Sequence, residues 1–365
     1  MTPINTSSLD VTKAWVSQTL EHDRPLTCCR FSPCGRFLVA CGQHEQVVRW
    51  DLETGEKTAL VGHSSWVDSA VFQSDSKQLF TADYWGTICC WPYDAARPTP
   101  TWTRPEAHDG WVRVLAAAPD GNLLSAGNDR VIRLWSGQDG KPIREFSGHQ
   151  NYIFSLAVAP DGKTFVSGDL FGKANQWDLA SGKLIRTFEA GVLNTRLDNF
   201  LANVGGIRSL AFDDDGKLLA CGGMTDAKSN SFCAGKPAVL VFEVTTGKLL
   251  QTLRPRHTSD GPIKGLAFLA DGTLAGHAEH LNGGSSLEFW DPDQPQSKHV
   301  IKRNSGYCLD VHPDGLRLAA ATFKNNGRGG NGRHSKQDEY ASHNGEVAII
   351  SLFEKPSDAA TSEGS

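Results

Sequence analysis

The sequence predicts an all-β fold built from about seven copies of one unit. A tight-turn tetrapeptide recurs at spacings of 41 to 56 residues, and each copy lies between two apolar runs. Proline and glycine in most copies supply the backbone angles of a hairpin turn. A period of this length is typical of radial or stacked repeats. The copies begin at Ser32, Ala118, Ala159, Asp213, Leu269 and His312, and a degenerate copy begins at Gln73.

Each repeat is predicted to be a four-stranded antiparallel meander, with strands named a to d in chain order. Between Leu26 and His63 the four apolar segments are LTCCRF, RFLVACG, QVVRWD and KTALVGH, separated by turns. Their β-branched and aromatic content favours strands. No helical periodicity lies between them, which argues against a parallel sheet with crossover helices.

Composition narrows the classes of function. The 365 residues carry a net charge of −5 with both signs interspersed, which argues against binding nucleic acid. Neither a secretory signal nor an apolar run long enough to span a membrane is evident, so we predict a cytoplasmic protein. The nine cysteines lack metal-ligand spacing and indicate reduced thiols.

The repeats resemble the WD-repeat family of β-propellers. A Trp-Asp pair closes strand c at Trp50, Trp177 and Trp290, and a Gly-His pair precedes the next repeat at Gly62 and Gly148. The resemblance covers roughly residues 13 to 354 and implies a single seven-bladed propeller of four-stranded antiparallel sheets. It also implies a non-catalytic platform that holds other proteins, with no cofactor.

Counting strands predicts how the ring closes. Residues 13–20 match the strand-d pattern but precede the first blade, whereas the last blade, 306–353, supplies only three strands. We therefore expect the N-terminal segment to be the outer strand of the last blade. Residues 1–12 and 355–365 are polar and small and are expected to be disordered. The predicted blades are 24–60, 66–105, 111–147, 152–189, 206–253, 262–302 and 306–353.

The family resemblance implies a buried network of a turn Asp, a His, a strand-b Ser or Thr, and the strand-c Trp. Only the third blade matches it throughout, with His108, Ser125, Asp129 and Trp135. Blades 2 and 4 keep the His, the hydroxyl and the Trp. At the turn-Asp position they carry Trp85 and Phe171, so we expect incomplete networks there.

Aromatic residues are predicted to gather on one face of the ring. In a meander the b–c turns and the links between blades share a face, which we call the top face. Six aromatic residues fall there in blades 2 to 4. They would form either an exposed interaction site or a seal that packs on the adjacent loops. They are Trp66, Tyr84, Trp85, Trp111, Tyr152 and Phe171.

One step into strand a, seven side chains are expected to approach the central channel. Three are basic and one is acidic, which predicts a mildly positive channel mouth able to attract an acidic peptide or a small anion. The alternative is solvated charge that binds no ligand. The seven are Thr27, Asp68, Arg113, Phe154, Arg208, Lys264 and Tyr307.

Insertions crowd the top face of blades 4 to 7, at residues 190–205, 222–237, 276–286 and 323–345. Long loops on a rigid scaffold are usually functional or disordered. His277 and His280 are weak metal candidates in one of these loops, although surface histidines are the default interpretation. A Gly-rich run at 327–332 fits the dinucleotide pattern but lies between antiparallel strands, with no helix to hold a pyrophosphate.

The sequence thus favours a scaffold that binds proteins or peptides through its top face. The residues expected to carry this role are the six aromatic residues together with Arg113, Arg208 and Lys264. The alternative is a propeller that binds a small ligand or a metal, or that is an enzyme, using the channel mouth and the loops of blades 5 to 7.

Overall fold

The computed structural model describes residues 9–74, 76–229, 234–256, 260–278, 285–303, 306–323 and 344–356. These residues form seven four-stranded antiparallel sheets and one additional two-stranded hairpin. The fold is the predicted seven-bladed propeller. No helix within the described ranges has the length and apolar character needed to cross a membrane.

Each of the first six blades is a continuous meander in chain order. The strands of blades 1 to 3 are β2 (Leu26–Phe31), β3 (Phe37–Gly42), β4 (Gln46–Asp51), β5 (Lys57–Val61), β6 (Val67–Phe72), β7 (Gln78–Asp83), β8 (Ile88–Pro92), β9 (Trp102–Arg104), β10 (Val112–Ala117), β11 (Leu123–Gly127), β12 (Val131–Trp135) and β13 (Pro142–Ser147). Those of blades 4 to 6 are β14 (Ile153–Val158), β15 (Thr164–Asp169), β16 (Lys173–Asp178), β17 (Leu184–Glu189), β20 (Ser209–Phe212), β21 (Leu218–Thr225), β22 (Lys236–Glu243), β23 (Leu249–Leu253), β24 (Ile263–Phe268), β25 (Leu274–Ala278), β26 (Ser285–Trp290) and β27 (His299–Arg303). The hairpin of β18 (Asn194–Leu197) and β19 (Ala202–Gly205) lies between blades 4 and 5.

The core is distributed over the seams between blades rather than gathered at one centre. The middle strands are covered on both faces, and all six residues of β3 are buried. One core cluster joins Ile349 of the last blade, Leu38 of the first and Leu79 of the second. Burying both faces of a sheet requires a neighbour on each side, so closing the ring removes the need for a capping unit.

Closure uses the N-terminal strand, as predicted. Blade 7 consists of β28 (Gly306–Val311), β29 (Arg317–Phe323), β30 (Gly345–Ser351) and, as its outer strand, β1 (Trp15–His22). The strands β1 and β30 pair antiparallel along their lengths, from Trp15 opposite Ser351 to His22 opposite Gly345. The first and last strands of the ring are therefore held in one sheet.

The expectation that residues 1–12 are disordered is wrong for residues 9–12. A short 3-10 helix covers Val11–Lys13, and the Asp10 amide donates a 2.7 Å hydrogen bond to the Leu352 carbonyl. Val11 is buried in the core cluster that links blades 6 and 7, and this apolar contact orders the segment. Residues 1–8 and 357–365 lie outside the described residues.

A pair of histidines joins the closing strand to blade 1. His22 at the end of β1 and His44 in the turn after β3 are buried, with their Nε2 atoms 3.0 Å apart. Burial, followed by the nearby His44, lowers the pKa of His22 to about 4. Burial also lowers the pKa of His44. The neutral form is therefore favoured in both rings, and one ring can donate a hydrogen bond to the other.

Candidate functional site: the top face and the channel mouth

A four-residue hydrogen-bond network lies beneath the top face of blade 3. His108 Nδ1 is 3.0 Å from both carboxylate oxygens of Asp129, and its Nε2 is 2.6 Å from Ser125 Oγ. Trp135 Nε1 donates to the same Ser125 oxygen at 2.7 Å. The four side chains that the family resemblance implied thus connect the blade entry, strand b and strand c.

Blades 2 and 4 hold the same network, so the prediction that theirs are incomplete is wrong. In blade 2 His63 lies 2.9 Å from Asp83 and 2.7 Å from Thr81, whose oxygen also accepts from Trp91 at 2.8 Å. In blade 4 the equivalent distances are 2.8, 2.6 and 2.8 Å. The residues of blade 4 are His149, Asp169, Ser167 and Trp177.

The carboxylate in these two blades comes from the last residue of strand b, not from the turn position where Trp85 and Phe171 stand. Asp83 Oδ1 accepts from the amides of Trp85 and Thr87, while Oδ2 contacts His63. One side chain therefore fixes both the histidine and the b–c turn. The aromatic residues of these turns are carried by a rigid base.

We expect Asp169→Ala to lower the free energy of unfolding by about 2–4 kcal/mol. The change leaves His149 Nδ1 and the turn amide of Lys173 without the carboxylate that binds both. Urea unfolding measures the loss. Asp161→Ala is the matched control because Asp161 is exposed and bonds only a local amide. A loss no greater than that of the control would show that this network does not stabilise blade 4.

Four of the six top-face aromatic residues are exposed, and three of the six contact one another. The exposed fractions are 67% for Trp85, 43% for Tyr152, 39% for Trp66 and 38% for Trp111. The half-buried Tyr84 stacks on Trp111 with ring centroids 3.9 Å apart, and Trp66 lies 5.7 Å from Tyr84. Phe171 is half-buried. Apolar ring surface is therefore exposed on this face, and an interaction site there stays a prediction.

All seven strand-a residues line one central cavity of about 370 Å³. The guanidinium of Arg113 lies 4.6 Å from the Trp111 ring and 4.9 Å from the Phe154 ring. The guanidinium of Arg208 lies 3.9 Å from the centroid of the Phe154 ring, and the Lys264 ammonium lies 3.7 Å from the centroid of the Tyr307 ring. Each of the three cations of the mouth thus lies against an aromatic ring, and Arg113 connects the mouth to the aromatic patch through Trp111.

The charge of the mouth is positive. Arg113, Arg208 and Lys264 face the cavity with one carboxylate among the seven residues, that of Asp68. Asp68 accepts a 2.8 Å hydrogen bond from Thr27, and burial raises the pKa of its carboxyl. The mouth can therefore attract an anionic group.

The hairpin β18–β19 adds an apolar tip that the sequence interpretation treated only as a long insertion. Phe200 and Leu201 at its tip are 50% and 78% exposed, and Leu201 has a left-handed φ of 49°. Leu197 and Val204 on the two strands of the hairpin pack with Met224 of blade 5. Phe200 and Leu201 directly follow two polar residues in this link, and they were the sequence signal that could have indicated an apolar tip.

The structure does not support a metal site at His277. Its expected position in a loop is wrong, because it lies within β25 and is fully buried. Its Nε2 atom is 2.9 Å from Ser285 Oγ, and burial lowers its pKa to about 4. His280 lies outside the described residues, as do 230–233 and 324–343 of the neighbouring loops. Among the residues that are described, no group of three or more candidate ligands could hold a metal.

The family comparison agrees with the geometry. The WD domain, G-beta repeat model matches residues 15–51, 55–92, 99–136, 140–178 and 195–227, which together exceed half of the chain. The chain belongs to this family of WD-repeat propellers.

Three curated proteins show the range of relatives. The chain is 30% identical over 45% of its length to transcription initiation factor TFIID subunit 5 of Caenorhabditis elegans. It is 23% identical over 57% of its length to apoptotic protease-activating factor 1 of Rattus norvegicus. It is 32% identical over 24% of its length to small ribosomal subunit protein RACK1y of Oryza sativa subsp. japonica. The matches span only 25%, 16% and 27% of those proteins, respectively.

Proposed function

We propose that this propeller is a non-catalytic scaffold that binds partner proteins or peptides through its top face. The observation that carries the proposal is the continuity of the exposed aromatic patch of blades 2 to 4 with the cationic channel mouth. Tyr84, Trp111 and Arg113 join the two through ring stacking and a cation–π contact.

The arrangement favours a partner segment with apolar anchors and acidic neighbours. Exposed tryptophan and tyrosine rings supply large contact area, and they are enriched among residues that dominate binding energy. Rings already held by stacking lose little conformational entropy on binding. Arg113, Arg208 and Lys264 would steer acidic residues toward the mouth.

The names of two relatives support this proposal, because they describe components of larger assemblies. Two of the three are named as subunits or proteins of larger assemblies, a transcription initiation factor and a ribosomal subunit. The alternative function, an enzyme or a metal-binding propeller, relied on His277 and His280. Of these two, only His277 lies in the described residues, and its side chain is buried inside a strand. A cytoplasmic location stays a prediction.

Replacing Trp85 and Tyr152 together with alanine is expected to reduce partner capture at least about tenfold. Both rings are exposed, so the midpoint of thermal unfolding should change by less than about 2 °C. Affinity purification from the native host with quantitative mass spectrometry measures capture.

The matched control is the double change Leu184→Ala and Ile185→Ala on the outer strand β17, where both side chains are also about half exposed. This variant should retain the partners. If it loses them while the top-face variant retains them, the binding surface is the outer edge of the ring and the proposal is wrong.

A further inference from the structure

The seam between the last and first blades contains a cluster of cysteines. Cys28 and Cys29 lie in β2, Cys41 lies in β3 and Cys308 lies in β28. Cys28 and Cys41 are opposite each other across the β2–β3 ladder, and β2 packs on β28. All four are free thiols.

An arginine is fixed against one of these sulfurs. The Arg30 Nη1 atom lies 2.6 Å from Cys308 Sγ and donates a 2.8 Å hydrogen bond to the Cys29 carbonyl. A guanidinium held at this distance stabilises a thiolate. Hydrogen bonds with Cys28 and Cys29, assisted by the charge of Arg30, hold the pKa of Cys308 well below its usual range.

The other acidic group near Arg30 is a weaker counter-ion than an ordinary carboxylate. Asp310 accepts a 2.7 Å hydrogen bond from the Phe31 amide, but burial raises the pKa of its carboxyl to about 7. Near neutral pH this carboxyl is partly protonated. A thiolate at Cys308 would therefore supply negative charge beside the half-buried guanidinium of Arg30, which Asp310 neutralises only in part.

The second thiol needed for a redox pair is already adjacent. Cys28 lies in the same core cluster as Cys308, whose Sγ is 3.5 Å from the carbonyl oxygen of Cys29. The neighbouring thiols of Cys308 and Cys41, together with burial, hold the pKa of Cys28 well above its usual range. The opposite directions make Cys308 the more acidic thiol of the two. Both residues belong to the lining of the central cavity, through which a small solute can approach them.

We propose that Cys308 is a hydroperoxide-reactive thiolate and that Cys28 is its resolving thiol. The Cys308 sulfur attacks one oxygen of the hydroperoxide and the O–O bond breaks. A sulfenic acid forms while the alkoxide or hydroxide leaves and takes up a proton. The Cys28 sulfur then attacks the Cys308 sulfur, a disulfide forms, and the sulfenic oxygen leaves as water with the Cys28 proton. The two sulfurs lose two electrons in total and the hydroperoxide gains them.

The product would link the first and last blades covalently, in addition to the pairing of β1 with β30. This role is independent of the top-face scaffold proposed above, because no residue of the aromatic patch takes part in it.

The test uses the reduced full-length protein and one equivalent of hydrogen peroxide at pH 7. Remaining thiols are blocked with N-ethylmaleimide, and the digested protein is analysed by mass spectrometry without reduction. We expect a peptide joining Cys28 to Cys308 to exceed any link that involves Cys34 or Cys221 at least about tenfold. Oxidation of the exposed Cys34 before Cys308 would overturn the proposal, and this wild-type result tests the reactivity of Cys308 without any variant.

Variants assign the two roles. Cys28→Ser should abolish the link and leave a Cys308 sulfenic acid that dimedone traps, whereas Cys29→Ser should retain the link. Arg30→Gln should slow oxidation of Cys308 about tenfold, because it removes the charge that stabilises the thiolate. A disulfide between Cys308 and the β2 peptide that forms in Cys28→Ser and is lost in Cys29→Ser would show that the resolving thiol is assigned wrongly.

Discussion

Removal of residues 1–22 is expected to abolish the cooperative unfolding transition of the propeller. The deletion strips β1 from β30 and exposes the edge of blade 7, whose residues Val347 and Ile349 belong to the core. It also removes the buried side chains of Val11 and Leu20. Each buried apolar side chain contributes about 1.5–3 kcal/mol, and the lost ladder bonds add about 1 kcal/mol each. The total is comparable with the whole stability of a domain, about 5–15 kcal/mol.

Circular dichroism during urea unfolding measures this effect, and a pair of point variants tests its cause. Leu20→Asp places a carboxylate in the core cluster and should cost about 3 kcal/mol or more, whereas Thr19→Asp should cost less than about 1 kcal/mol because Thr19 is exposed. A deleted protein that unfolds cooperatively at the wild-type urea midpoint would contradict closure by the N-terminal strand.

The strands and the closing segment could be predicted from local features of the sequence, whereas the seven-bladed ring was implied by the resemblance to WD-repeat propellers. Turn tetrapeptides mark each hairpin, and a last blade with three strands leaves one place for residues 13–20. Likewise, all seven strand-a side chains that the sequence placed at the channel mouth line the central cavity. These inferences need only strand order and alternation.

The networks of blades 2 and 4 were misassigned because they depend on where a strand ends. In blade 3 strand β11 ends at Gly127, and the carboxylate of Asp129 comes from the turn. In blade 2 strand β7 extends to Asp83, and the carboxylate is the strand's own last residue. The carboxylate thus comes from positions two residues apart in the two blades, yet it contacts the equivalent histidine in each. The spacing of residues in the sequence does not reveal this equivalence.

Contacts between side chains of different blades could not be predicted from the sequence either. The sequence placed Arg113 at the channel mouth but did not show that its guanidinium lies between the rings of Trp111 and Phe154. The hairpin tip at Leu201 depends on a left-handed backbone that non-glycine residues seldom adopt. Both features are set by tertiary packing rather than by local propensity.

Gly306→Ala is expected to lower the free energy of unfolding by about 3 kcal/mol or more. A Cβ atom at this position would lie 1.4 Å from His277 Cε1 and 2.0 Å from Nδ1. The His277 ring is fully buried and its Nε2 atom is 2.9 Å from Ser285 Oγ, so turning the ring away would break that hydrogen bond. Because Gly306 begins β28 and His277 lies in β25, the clash would separate blades 6 and 7. Urea unfolding measures the loss.

Gly191→Ala is the matched control, since the nearest atom to its added Cβ would be the Phe171 carbonyl oxygen at 4.0 Å. It should change stability by less than about 0.5 kcal/mol. The cause is separated by a double-mutant cycle with His277→Ala, which removes the ring. The cost of Gly306→Ala should fall by at least about 1 kcal/mol in that background. An equal cost in both backgrounds would mean that Gly306 is required for its backbone conformation, and that close packing of blade 6 against blade 7 does not depend on this pair.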